Sequence, residues 1–531
     1  MFSDIINHVF TFLRDSDKIR FLSTDKNMDK RKYDFFYCEE ISYDNAKKMR
    51  YYDNFKNMYV TGELSSDLPK NIVSLSLMHE LSINSVKMIP TTVSVLKICN
   101  RCDHYLSNFI IPSSVISLTI GKLPDKQRII PTSVKQLTFF DHFDQPIDDH
   151  LPSSLTQLTF GNNFNQSITG CLPPLLTHLT FGDNFNQSIT DCLPPLLTHL
   201  TFGYNFDQPI INKLPPLLTH LVFGHYFNQS IDNILPQSLT HLTFGFCFDK
   251  HVNNLPSSIT YLKFGYIFDK PVNNLPSSIT YLEFGDNFNK PINSLPSSIT
   301  YLKFGCRFDQ PINNIIPCSV THLEFGTNFT GYTTDNCIPQ SVTHLTIQCD
   351  TPIIKNVIPV SVTHLIFGID FNQPIDGIIP YGVTHLTFGQ SFDQSIKNGV
   401  PPMVTHLTFG QSFDQSIKNG IPQTVTHLIF GNKFDKPLNY DLPNSVTHLT
   451  FGRRFNQPLY DFLPTSITHL IFGDNFNQDL YQCIPPSVTH LHLPRTHYDH
   501  PIIRGEKRFG KPYKKKPWHR ILPHVIDLQL I

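Results

Sequence analysis

Leu151-Pro152-Ser153-Ser154-Leu155-Thr156-Gln157-Leu158-Thr159-Phe160-Gly161-Asn162-Asn163-Phe164-Asn165-Gln166-Ser167-Ile168 returns, little changed, down most of a chain of 531 residues. Prolines from Pro69 to Pro485 mark the beat at about one every 21 residues, and self-similarity at such a period is the signature of a stacked repeat architecture. Inside one unit, Val320-Thr321-His322-Leu323-Glu324-Phe325-Gly326, period-2 alternation directs Val320, Leu323 and Phe325 inward and His322 and Glu324 outward. Proline three residues before the strand fixes φ in the preceding turn, where its missing N–H interrupts no ladder. Gly after the Phe is expected to supply the turn that ends the strand. The motif that follows, Phe-(Asn/Asp)-(Gln/Lys)-(Pro/Ser)-Ile, brings a second inward Phe and Ile for the opposite wall.

Stacked at about 4.8 Å per rung, such units align like residues in ladders. One Phe spine is expected through Phe160, Phe181, Phe202 and Phe223 and their successors, a second through Phe164, Phe185, Phe206 and Phe227, and together they take up most of the 44 phenylalanines as core. The Asn or Asp after the second Phe, as in Asn165, Asn186 and Asp207, reads as a ladder that satisfies backbone groups of adjacent rungs. A single alanine, Ala46, in the whole chain argues against long helices. The expected fold is mainly β: a right-handed, leucine-rich-repeat-like β-solenoid of about 21 repeats, with short extended or 3₁₀ segments on its far side. The recurring Phe-Asn-Gln-Pro-Ile within Leu-Pro-x-Ser-Leu-Thr-His-Leu-Thr-Phe-Gly resembles the FNIP repeat, a leucine-rich-like unit of amoebal and giant-virus proteins, over residues 67–492. One copy departs. After Leu345-Thr346-Ile347, the stretch Gln348-Cys349-Asp350-Thr351-Pro352-Ile353 lacks the second Phe and the Gly, so a local irregularity is expected there.

Charged residues make up only 16% of the chain and the net charge is −1, which provides no global field for nucleic acid or an anionic membrane. No stretch reaches the roughly 18–20 apolar residues of a membrane helix, and Met1-Phe2-Ser3-Asp4-Ile5 lacks the basic start of a signal peptide. An intracellular, cytoplasmic protein with 11 free thiols is the expectation. Cys99-Asn100-Arg101-Cys102 has no second pair, and Asn165-Gln166-Ser167 and its equivalents are by-products of the repeat. No phosphate loop, dinucleotide fingerprint, nucleophile elbow or isolated carboxylate pair is present. Repetition itself opposes catalysis, which needs unlike groups converging on one point, so neither an enzyme nor a cofactor is expected. The 25 histidines invite a metal, but zinc wants ligands that converge tetrahedrally, whereas a ladder presents parallel rings.

Residues 1–42 have a different texture. Ile5, Ile6, Val9, Phe10, Phe12 and Leu13 fall on a helical period, and Ile19, Phe21 and Leu22 begin a second helix, with caps expected at Ser3 or Asp4 and at Asp15 to Asp17. Two short helices cannot fold alone, so they either cover the first rung or dock on a partner. Ser3 to Thr24 is similar to the F-box: an apolar pair, an apolar helix ending in Leu, an acidic turn and a second apolar helix. The usual initial Leu-Pro is replaced by Met1-Phe2, and the closing Cys-Lys-x-Trp by Asp25-Lys26-Asn27. The resemblance implies that Ile5, Ile6, Val9, Phe10, Leu13, Ile19 and Leu22 dock in the groove of the linker subunit of a cullin-RING ubiquitin ligase.

Outward strand positions should line a concave, protein-binding face. Its first row is mainly His but becomes Tyr261, Tyr281 and Tyr301 before His322, and beside these Lys263, Glu283, Lys303 and Glu324 replace the usual Thr. That patch is the chemically distinct part of a monotonous face, and tyrosine is a favoured anchor. Arg504 to Arg520 carries eight basic residues against one acid and interleaves Phe509, Tyr513 and Trp518; it is either a solvated loop or a nuclear-import or anionic-partner patch. The organisation that follows is an F-box-like segment at 1–42, a linker or N-terminal cap at 43–66, the solenoid at 67–492, and at 493–531 a basic insertion with a degenerate capping repeat. A substrate-recruiting ligase adaptor is the expected function, with a structural scaffold as the alternative.

Overall fold

A computed structural model describes residues 14–23, 30, 32, 35–61, 68–78, 89–99, 111–123, 130–148, 150–212, 214–331, 337–353, 355–480, 482–494 and 527–530. The chain forms two compact units, Met1–Ser258 and Ile259–Ile531. The first begins with helix α1 (Asp15–Leu22), strand β1 (Ile41–Ser42), a single helical turn α2 (Tyr43–Ala46), a 3₁₀ turn (Tyr52–Asn54) and strand β2 (Asn57–Val60). Strands β3 (Ser74–Leu77) and β4 (Val95–Ile98) follow, and further strands continue from Ser117–Ile120 to His241–Thr243. The second unit contains strands from Tyr261–Lys263 to Asp527–Leu530. Within each unit neighbouring strands pair in parallel and in like-on-like register, for example Leu200↔Leu221↔Leu242 and Leu428↔Leu449. This is the leucine-rich-like parallel β-solenoid expected from the period, and helix is minor.

Each rung buries the same set. In the rung of Thr156–Ile168, Leu158, Phe160, Phe164 and Ile168 are at most 2% exposed, while Gln157 and Thr159 on the other face are half-buried. Phe160 and Phe164 lie 3.9 Å apart at 9°, and each meets its successor, Phe181 at 5.6 Å and Phe185 at 6.0 Å, so both spines form as ring stacks, broken in the second unit where Ile347 and Cys349 take the two positions. Full burial of one such ring contributes roughly 1.5–3 kcal/mol, which the next rung supplies by covering it.

The polar ladder is equally regular. Asn165 Oδ1 accepts the backbone N–H of Asn186 at 2.9 Å and the Gln187 side-chain amide at 3.0 Å, and Asn186 does the same for Asp207 and Gln208. Only an acceptor oxygen is used, which is why Asp and Asn alternate freely at this position. At two rungs where Lys takes the place of Gln, it pairs with the Asp one rung back, Lys290–Asp269 at 2.6 Å and Lys436–Asp414 at 2.9 Å.

The glycine after the first Phe opens the expected turn, Gly161 O accepting Phe164 N–H at 3.2 Å, and it has a second job as well. A Cβ on Gly410 would lie 1.7 Å from the carbonyl oxygen of Gly389, and one on Gly203 would lie 1.9 Å from that of Gly182. Absence of a side chain is what lets successive rungs approach. Left-handed backbone falls later in the repeat, two residues after the Ile, at Asn398 (φ 62°), Asn419 (φ 56°) and Gly377 (φ 70°). These residue types tolerate that region best.

In the departing copy the step from the strand to the ladder is two residues shorter, Ile347 to Cys349 against Phe367 to Phe371 in the next copy, and the strand register is kept. Its strand, His344–Ile347, pairs residue for residue on both sides. Fully buried Cys349 stands in for the second Phe, and Asp350 keeps the ladder by accepting from Asn372 N–H at 2.7 Å and the Gln373 amide at 3.0 Å. The irregularity is therefore a shortened loop with Ile347 and Cys349 in the two spine positions, while the strand register is preserved. At the far end Asp527–Leu530 pairs with His490–Leu493, so the degenerate last copy extends the sheet.

Candidate partner-binding surface

The strand face carries two rows. In the first, rings stack one per rung: His178–His199 at 4.2 Å, His199–His220 at 4.2 Å, and in the second unit an unbroken run from His322 to His490 with neighbours 4.1–4.3 Å apart. The preceding threonine fixes each ring. Thr363 Oγ1 donates to Thr343 O at 3.3 Å and lies 3.0 Å from His364 Nδ1. Because its proton goes to the carbonyl, the hydroxyl accepts from Nδ1–H, which leaves Nε2 as the acceptor of the neutral ring. Burial first, and neighbouring rings second, hold His199, His364, His385, His427 and His448 below the ordinary histidine value. Among the described residues no group of three or more His, Cys, Asp or Glu converges to hold a metal ion.

The sequence-selected patch lies wholly in the second unit, and its eight residues come together. Tyr261, Tyr281, Tyr301 and His322 occupy successive rungs in register, as do Lys263, Glu283, Lys303 and Glu324 two positions on. Tyr261–Tyr281 and Tyr281–Tyr301 stack at 4.3 and 4.4 Å, while His322 stands 6.2 Å from Tyr301. Glu283 is the hub: it accepts the Tyr281 hydroxyl at 2.9 Å and faces Lys263 at 3.2 Å and Lys303 at 3.8 Å. Glu324 pairs with Lys303 at 3.2 Å and accepts the Gln348 amide at 3.0 Å. Burial, then the Glu283 hydrogen bond, push the Tyr281 phenol far up, so it stays a donor. Lys303 is held above its ordinary value because Glu324 and Glu283 outweigh the burial that would lower it. The arrangement is a charge-balanced, preformed strip of phenol rings with no group poised for proton transfer.

Of the F-box-like residues, Ile5, Ile6, Val9, Phe10 and Leu13 lie outside the described residues. Ile19 is half-buried and Leu22 fully buried on α1. Instead of capping its own helix, Asp15 turns its carboxylate to the backbone N–H groups of Cys38 and Glu39, the latter at 2.6 Å, while Lys18 pairs with it at 2.8 Å. Tyr37 beside them forms a parallel bridge with Phe55, so α1 is fastened to the start of the sheet. Cys102 and the basic stretch Arg504 to Arg520 also lie outside the described residues. No helix among the described residues is long and apolar enough to cross a membrane.

Two features were not singled out from the sequence. An open groove of about 1110 Å³ in the first unit is lined by Ile210, Ile211, Leu214, Asp191, Asn212 and Asn233, with Asn212 donating to Asp191 at 2.6 Å. A column of aromatic rings at the surface occupies the loops after the glycines of three consecutive rungs of the first unit, Tyr204, His225 and Phe246, and the next copy carries Tyr266 at the same position; reading down the repeat column would have exposed it.

The FNIP Repeat family model matches twelve segments between residues 124 and 496. Among solved structures, CroV588, described as a novel circular LRR protein, is 36% identical over 85% of this chain and 77% of its own, with a TM-score of 0.66. TLR13, in its complex with ssRNA13, is similar in fold alone, at 14% identity over 83% of this chain and 74% of its own, with a TM-score of 0.58. No curated protein sequence matches significantly. With the period, both Phe spines, the Asn ladder and the rung register in place, the chain belongs to the FNIP-repeat family.

Proposed function

We propose that this protein is a non-catalytic interaction module: a substrate-recruiting subunit of a cullin-RING ubiquitin ligase that holds the linker subunit through residues 1–42 and a target protein on the strand face of its solenoid. The observation that carries the interaction role is the preformed strip of Tyr261, Tyr281 and Tyr301 flanked by Lys263, Glu283, Lys303 and Glu324, which offers rigid aromatic area and balanced charge on an otherwise uniform face. The ligase role rests on the F-box-like pattern of Ser3 to Thr24. Tethering a target beside the transferring enzyme needs no chemistry from the tether, only effective concentration. The protein would work inside the cell, where ubiquitin ligases act.

A structural scaffold is the second possibility, and the burial of Leu22 with the Asp15 clasp on Cys38 and Glu39 favours it, because that half of the segment then behaves as a cap. Binding of the purified full-length chain to a purified linker subunit separates the two. Retention that is lost in Ile6→Asp/Val9→Asp, with the β-sheet circular dichroism unchanged, supports the adaptor; absence of retention by the unaltered chain leaves the scaffold.

A further inference from the structure

Between the glycine and the second Phe each repeat places two loop residues, and in most rungs both are small or polar: Asn162-Asn163, Asp183-Asn184, Gln390-Ser391, Gln411-Ser412. In the first unit three consecutive rungs break this rule with Tyr204-Asn205, His225-Tyr226 and Phe246-Cys247. The rings stack in a column, Tyr204 on His225 at 4.2 Å and 16°, His225 on Phe246 at 4.5 Å and 10°. Tyr226 stands edge-on to both Tyr204, at 5.1 Å and 84°, and His225, at 4.9 Å and 81°. These rings are not core. Tyr204 is 45%, Tyr226 47% and Phe246 38% exposed, whereas the spine rings behind them, Phe206, Phe227 and Phe248, are fully buried. Scattered exposed apolar residues need no explanation, but contiguous stacked rings on successive rungs do.

What could cover them is indicated by charge. One rung before Tyr204, the same column holds Asp183, an exposed carboxylate without an ion-pair partner among the described residues, whose backbone carbonyl accepts Asn205 N–H at 2.7 Å. Asp183 also helps to hold the Tyr204 phenol above its ordinary value, after burial, Tyr226 and Cys247. From residue 180 to 250 the chain carries Asp183, Asp191, Asp207, Asp232 and Asp249 against Lys213 and Lys250. A flat aromatic shelf ending in a carboxylate, on an acidic stretch, matches a planar cation: guanidinium stacks on ring faces and forks onto carboxylates, which ammonium does poorly.

We propose that the shelf of Tyr204, His225, Tyr226 and Phe246, closed by Asp183, is a docking surface for an arginine-bearing segment of a protein partner. It lies in the first unit, uses none of the residues of the tyrosine strip, and does not depend on the ligase role. The test is fluorescence anisotropy at pH 8 with the full chain and a labelled peptide of alternating arginine and serine, beside its lysine and glutamate counterparts and a labelled oligo-dT. Variants Tyr204→Gln and Phe246→Gln place in the shelf the residue that Gln390 and Gln411 already supply in the same column, so the rungs remain intact; Asp183→Asn removes the charge alone. The expected result is saturable binding of the arginine peptide, at least several-fold tighter than the lysine peptide, and weakened about tenfold by each ring variant and by Asp183→Asn. Equal binding of arginine and lysine peptides, binding indifferent to Tyr204→Gln, or preference for oligo-dT would overturn it.

Discussion

Replacing Gly410 with alanine puts a Cβ 1.7 Å from the carbonyl oxygen of Gly389; the oxygen is backbone and the Cβ is fixed by backbone, so no rotamer change relieves the clash. To reach even a tight contact the two rungs must part by more than about 1 Å, beyond the range of the hydrogen bonds that flank the site. Those are Phe388 N–H to Thr408 O at 2.9 Å and Ser412 N–H to Gln390 O at 2.8 Å. Breaking two partly buried bonds at about 1–3 kcal/mol each predicts a loss of roughly 2–6 kcal/mol. Gly377→Ala is the control: nothing lies within 4 Å of its Cβ, and only the left-handed φ of 70° opposes the change, at about 1–2 kcal/mol. Denaturant midpoints give the order of the two costs, and hydrogen exchange localises the first to amides of residues 388–415. Should Gly377→Ala cost as much as Gly410→Ala, the glycines after the first Phe would not be there for rung approach, and the account of their role given above would fail.

Acid should loosen the solenoid. A histidine held below its ordinary value when folded binds fewer protons folded than unfolded, so its stabilising contribution is full above the ordinary 6.5 and drains as pH falls through that value toward the folded ones. The melting temperature should therefore drop between about pH 7.5 and pH 5, and less so in His385→Gln/His427→Gln; a melting temperature that stays level would refute the ring-row account. Asn186→Asp should be nearly neutral, because the retained oxygen can still accept from Asp207 N–H and Gln208, whereas Asn186→Leu should cost about 2–4 kcal/mol by chemical denaturation. Glu283→Gln removes ion pairs to Lys263 and Lys303, 41% and 32% exposed, at a carboxylate that is itself 14% exposed, while the amide oxygen can still accept the Tyr281 hydroxyl, so stability should fall by about 1–2 kcal/mol. Loss of a captured target on that substitution would then report an interface; unaltered capture would remove the tyrosine strip from the target-binding surface.

Most of the fold was legible because repetition multiplies a weak signal. One Leu-x-Phe alternation is ambiguous, but Leu158, Leu179, Leu200 and Leu221 at equal steps, each followed by Phe, leave a stacked parallel strand as the one element that buries them all. The tyrosine strip was legible for the same reason, as a departure within a column. Three things escaped, each for a physical cause. The glycine after Phe160 opens the turn it was expected to open, but its second reason, the oxygen of the preceding rung, is a contact between residues a repeat apart that no local window contains. Asp15 carries every mark of a helix cap, but the unpaired N–H groups of Cys38 and Glu39 compete for its carboxylate and take it. The aromatic column lies in the two loop positions that tolerate any residue, so attention to the constant positions passes over it.

That tolerance also says where function should be sought. A side chain in the spine or the ladder is fixed by the rung before and the rung after: Phe181 must stack on Phe160 and Phe202, and Asn186 must accept from Asp207 N–H, whatever the protein binds. Such positions cannot specialise without opening the stack. Strand-face and loop positions are free of that duty, since Thr, Lys, Glu and Ile all occupy the second row, and Asn, Gln, Tyr and Phe the first loop position, over the same backbone. Clusters there that fold stability does not require are therefore the places where a partner can leave its mark on the sequence. Two such clusters stand out. The charge-balanced strip at Tyr281 has already satisfied its own ions and offers ring area, while the shelf at Tyr204 keeps an unspent carboxylate at its end. A neutral partner surface loses little on the first, where the ion pairs can persist beneath it, and a cation gains most on the second, where it neutralises a carboxylate with no ion-pair partner among the described residues.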